Sequence, residues 1–80
     1  MSLKATLGNS TWLDDNRAAM LDLFPKTWTL MSNFNVLRFG FGLKLLGVDW
    51  RSYDELTNVL VFCERAGLLL RDGLNIRRAT

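Results

Sequence analysis

The sequence predicts a mainly α-helical chain with a small β-sheet: three helices, then a C-terminal two-stranded hairpin. Three observations carry this. Ser52 with Glu55 opens a run of apolar residues at helical spacing that stops at Gly67. Asp72-Gly73 follows at once between short apolar segments, a strong signal for a two-residue hairpin turn. Pro25 closes off an upstream segment that also reads as helix. Eighty residues that are 49% apolar with a single proline make one folded domain, and residues 10–80 are assigned to it, with 1–9 as an irregular arm.

The first helix is expected to start at a Ser10 or Thr11 cap and to end at Phe24, before Pro25. Asp14 and Asp15 then fall in its first turn, where the helix dipole favours acids. Leu13, Met20 and Phe24 share a face, with Trp12 and Leu23 beside it. Thr27-Trp28-Thr29 is rich in β-formers and is expected to be a short strand pairing with the hairpin.

Two periods compete over Ser32 to Leu46. Leu37, Phe39, Phe41, Leu43 and Leu45 alternate with Arg38, Gly40, Gly42 and Lys44, which suits a half-buried strand over 36–46 and an α+β alternative for the chain. Ser32 as a cap and Gly47 as a stop favour a helix instead, and the helix is preferred here. It is apolar nearly all round, so it must lie between the other helices or supply a dimer surface.

The third helix runs from Tyr53 to about Ala66. Leu56, Val59, Leu60, Cys63 and Ala66 fall on one stripe; Asp54, Thr57, Asn58, Val61 and Arg65 fall on the opposite one. A turn at Asp72-Gly73 pairs Leu69 with Ile76 and Leu68 with Arg77, and puts Arg77 and Arg78 near the sheet edge.

Composition removes several functions. There is no histidine and one cysteine, Cys63, which lies on the apolar stripe. A Cys/His zinc site, a His base and an internal disulfide are therefore out of reach, and a reducing, cytoplasmic setting is expected. No apolar run approaches the roughly 18 residues of a membrane span. Gly40-Phe41-Gly42 is not followed by the lysine-bearing pattern of a nucleotide loop. The chain is not expected to be an enzyme or to carry a cofactor or metal. A net charge of +2 permits nucleic-acid binding without requiring it.

From Leu43 to Arg78 the order Leu-Gly-Val, polar turn, long helix, Gly-Leu-Leu and basic hairpin resembles the winged helix-turn-helix superfamily; residues 11–42 match it by helix count alone. The resemblance implies that the third helix enters the major groove of double-stranded DNA with its N-terminal residues at base edges, as in a small sequence-specific transcriptional regulator. It points to Arg51, Ser52, Tyr53, Thr57, Asn58 and Val61. Asn58 suits adenine, Thr57 and Val61 suit a thymine methyl, Arg51 suits guanine or phosphate, and Ser52 presents helix N–H groups to a phosphate. Arg71, Arg77 and Arg78 are the implied phosphate contacts beside the wing. Against this stand Asp54, Glu55 and Glu64, which repel phosphates, and an acidic, stubby wing tip. Those departures suit the alternative, an interaction module without DNA contact. Its partner would be a second copy or another protein, met through the apolar surface of residues 28–46 or through Phe62.

Overall fold

The computed structural model describes residues 7–79. Along the chain lie helix α1 (Ser10–Leu21), strand β1 (Thr29–Leu30), a 3-10 turn (Met31–Asn33), helix α2 (Val36–Leu45), helix α3 (Tyr53–Arg65) and strands β2 (Leu69–Asp72) and β3 (Asn75–Arg78). The fold is mixed α and β, with an antiparallel sheet in the order β1-β3-β2. Most of the segment expected to be an irregular arm, residues 1–6, lies outside the described residues, but Leu7 is packed into the core.

Helix α1 is capped by Asn9, whose side chain accepts from the Trp12 N–H at 3.1 Å. Asparagine caps at least as well as the expected Ser10 or Thr11, so the helix starts one residue earlier and Asp14 and Asp15 fall outside its first turn. Its end also comes early. The Leu23 and Phe24 N–H groups donate to Met20 and Leu21 carbonyls, so the chain has tightened into three-residue turns before Pro25. Met20 and Phe24 are buried as their shared face requires.

The expected strand at 27–29 forms at Thr29–Leu30, pairing Thr29 with Ile76 and Leu30 with Asn75. Residues 36–45 are helix, not strand. The cap is Asn35, which accepts from the Arg38 N–H at 3.0 Å; the expected cap, Ser32, is taken up in the 3-10 turn. Phe39 and Leu43 enter the core, whereas Leu37, Phe41 and Leu45 stay exposed, so the protein covers only part of this all-round apolar helix.

The two glycines of α2 mark close contacts. A Cβ on Gly40 would lie 2.6 Å from Trp50 Cζ2 and 3.0 Å from Leu56 Cδ1, and one on Gly42 would collide with Leu23 Cδ2. Trp50 is latched there, its indole N–H donating to the Gly40 carbonyl at 2.6 Å. These contacts set how α2 lies against the end of α1 and the turn leading into α3.

Leu56, Val59, Leu60 and Cys63 are all buried, as the stripe on α3 demands, and they pack with Met20, Leu43, Val48, Leu68, Leu69 and Ile76. Ala66 at the end of the stripe is half-buried. Gly67, at φ +76°, terminates the helix: its own N–H donates to Glu64 and the Leu68 N–H to Cys63.

The hairpin register differs from the expected one. Leu69 faces Arg78, Leu70 faces Arg77, Arg71 faces Ile76 and Asp72 faces Asn75, so the loop is Gly73-Leu74. A two-residue turn that opens on glycine places the positive φ on Gly73 (+59°) and leaves Asp72 in the strand. The Leu74 carbonyl also accepts from the Met31 N–H at 2.8 Å, which ties the turn to the end of β1. Each partner shifts by two residues, an even slip, so Leu69 and Ile76 still both face the core. Although β3 is the central strand, β1 pairs only with its Asn75 and Ile76, so Arg77 and Arg78 have a strand partner on the β2 side alone, near the sheet edge as expected. No helix among the described residues is long and apolar enough to cross a membrane.

Candidate nucleic-acid interface

The outward face of α3 is positioned from both ends. At its start Gly47 and Val48 turn the chain, with the Val48 N–H donating to Leu43 at 2.9 Å and the Val48 side chain fully buried. Ser52 caps the helix, its Oγ accepting from the Glu55 N–H at 3.3 Å. Glu55 reaches back as a capping box predicts, but one residue further: Oε2 accepts from the Arg51 N–H at 2.6 Å. The Glu55 carboxylate therefore serves the turn that fixes the helix and points back from the outward stripe.

Along that stripe Asp54, Thr57, Asn58, Val61 and Arg65 are all exposed, and Arg51, Ser52 and Tyr53 are exposed at the helix start. The sequence-predicted base-reading residues thus share one accessible face that the core does not use. The Thr57 hydroxyl donates to the Tyr53 carbonyl at 3.2 Å, which directs its hydrogen inward and leaves its methyl free. Arg51 is highly exposed and stands 3.8 Å from Asp49.

The hairpin arginines do not act as a group. Successive strand residues point to opposite faces, so Arg71 and Arg78 face the helices while Arg77 faces away. Arg71 Nε donates to both carboxylate oxygens of Glu64 on α3 at 3.2 Å. Arg78 donates to Asp22, just past α1, at 3.1 Å. Arg77 lies over the Trp28 ring, 5.2 Å from its centroid, and its Nε has no hydrogen-bond partner among the described residues. Two of the three expected phosphate contacts are therefore bridges between sheet and helices, and the third is stacked on an indole.

The Arg71–Glu64 pair has a second effect. It neutralises one of the acids expected to repel phosphates, leaving Asp54 as the acid of the outward stripe. The alternative anchor, Phe62, is half-buried against the core, and Val61 beside it is 40% exposed. Burial pushes the Cys63 thiol up from 9.0 to about 12, so it carries no thiolate at neutral pH. No cluster of three or more Cys, Asp or Glu side chains that could hold a metal occurs among the described residues.

Sequence reasoning located the α3 face from its period alone. It gave the exposed part of α2 only a range, 28–46, although Leu37, Phe41 and Leu45 follow one another at every fourth position. Comparison of the chain with protein families, curated proteins and solved structures finds no match.

Proposed function

We propose that this chain is a winged helix-turn-helix protein that binds double-stranded DNA sequence-specifically, with α3 as the recognition helix, and that it serves as a transcriptional regulator. One observation carries the reading: a capped helix presents Thr57, Asn58, Val61 and Arg65, with Arg51 and Tyr53 at its start, on a face that packing leaves free. The element order, with a hairpin directly after α3 and a short strand beside β3, supports the same reading. With Arg71 and Arg78 held by acids, phosphate attraction falls mainly to Arg65 and to Arg51, which stands 3.8 Å from Asp49, so affinity is modest and its salt dependence shallow, with a slope of about two per chain.

The test is an anisotropy titration of the protein with a library of duplex DNA at two salt concentrations. Binding should weaken as salt rises. The Asn58→Ala variant should lose about 1–3 kcal/mol on the preferred duplex and discriminate less at one base pair. Arg51→Ala should weaken binding to all duplexes alike and lower the salt slope by about one. Absence of binding at low salt rejects the proposal. The engagement of Arg71, Arg77 and Arg78 within the molecule favours the second reading, an interaction module without DNA contact.

A further inference from the structure

Among the described residues, helix α2 carries the most exposed apolar residues that line up on any helix. Leu37, Phe41 and Leu45 are 54%, 64% and 90% exposed, and at every fourth position they form a stripe along one side. The stripe flanks a groove of about 600 Å³ between α2 and the end of α1, walled by Leu23, Phe24, Phe34 and Phe39 and bordered by Phe41 and Leu45 themselves. Three of those wall residues are an aromatic cluster with ring centroids 5.2–6.2 Å apart, so the groove is a packed surface and does not depend on loose side chains.

We propose that this face is a self-association surface, on which α2 pairs antiparallel with α2 of a second copy of the chain across a two-fold axis near Phe41. Three features select a second copy. First, the stripe reads the same in both directions: Leu, Phe and Leu at equal spacing. An antiparallel pair sets Phe41 beside Phe41 of the other copy and Leu37 beside its Leu45, so every knob meets an apolar residue, as a two-fold interface requires.

Second, the charges permit it. Helix α2 carries Arg38 and Lys44 and no acid. They lie on opposite flanks, each about 60° from Phe41 on a helix of 3.6 residues per turn. Antiparallel pairing keeps Arg38 of one copy away from Lys44 of the other; it sets the two Arg38 on one flank and the two Lys44 on the other, each pair staggered by about 9 Å along the axis. Lys44 is in addition drawn aside onto Trp50, 4.4 Å from its ring centroid.

Third, the size fits a transient pair. Three side chains this exposed make an apolar patch of roughly 300–400 Å² per copy, the size at which a monomer's surface patch usually has a function. Two such patches bury roughly 700 Å², the size of a weak, transient contact and short of the roughly 1,000–1,200 Å² of a small specific interface. The pair is therefore a dissociable dimer. The proposal does not depend on DNA binding.

Sedimentation equilibrium of the full chain without DNA, over a wide concentration range, tests it. The mass should rise with concentration from 9.2 kDa toward twice that value. Phe41→Glu and Leu45→Glu should each raise the dimer Kd by at least about tenfold, with unchanged circular dichroism because both side chains are exposed. A mixture of Leu37→Cys and Leu45→Cys chains should give a disulfide-linked heterodimer on oxidation, while neither alone should cross-link efficiently; native Cys63 is buried and does not compete. A constant monomer mass, a dimer that both glutamate variants leave intact, or cross-linking of each cysteine variant to itself would overturn the proposal.

Discussion

At Gly40 the absence of a side chain sets the position of a helix. A methyl there would press on the Trp50 ring at 2.6 and 2.9 Å, and the ring is held by its own hydrogen bond to the Gly40 carbonyl. Glycine to alanine within a helix ordinarily gains about 1 kcal/mol. Here the sign should reverse: Gly40→Ala should destabilise by about 1–3 kcal/mol in urea unfolding, because a rigid ring must shift. Gly42 is the milder case, since the atom in its way is the tip of a flexible leucine. Sequence shows both glycines but neither contact, because Trp50 and Leu23 come to α2 only through the tertiary fold. Without those partners the alternation keeps a strand as the alternative to the preferred helix.

Cys63 gives a second prediction at this scale. Its folded thiol ionises near 12 against 9.0 when free, so below pH 9.0 its contribution to stability is fully present. Above 9.0 the unfolded chain releases a proton that the folded chain retains, and stability falls as pH rises toward 12. The Cys63→Ala variant lacks that term while sharing every other alkaline titration. The stability gap between the two proteins should narrow from pH 9 upward in denaturant unfolding; a constant gap would refute the role of burial.

Among the elements, α3 was the most legible because its signals are local: a cap, a box partner three residues on, one apolar period and a glycine stop. Ser52→Ala removes the Oγ acceptor for the Glu55 N–H and should cost about 1 kcal/mol, measurable as a lowered urea midpoint at unchanged slope. The caps of α1 and α2 were read one to three residues off. Asparagine, serine and threonine cluster near both starts, and local sequence alone does not rank them. The hairpin illustrates a different limit. Its existence and its buried residues, Leu69 and Ile76, followed from the pattern, whereas its register turned on Gly73 alone taking the positive φ with Asp72 kept in the strand, and the Met31 N–H of the 3-10 turn, which donates to Leu74, comes from outside the hairpin.

For the molecule as a whole, the arginines decide how the surface works. In the sequence, Arg71, Arg77 and Arg78 read as phosphate contacts and Arg51 as a guanine or phosphate contact. In the fold, Arg71 and Arg78 join the sheet to Glu64 and Asp22, contributing about 0–1 kcal/mol each at such exposure, and Arg77 rests on Trp28. Acids distant in sequence made those roles illegible. The free polar face of α3 and the apolar stripe of α2 are then two separate surfaces, the first proposed to meet base edges and the second a second copy of the chain.

The most direct test of that division is a nitrogen-15 NMR titration of the protein with a preferred duplex, at a concentration where its oligomeric state is constant. The amide signals of Arg51 through Val61 should shift progressively, while those of Leu37, Phe41 and Leu45 remain in place. Shifts confined to α2, or no shift on α3 at saturating DNA, would contradict the assignment of α3 as the recognition helix.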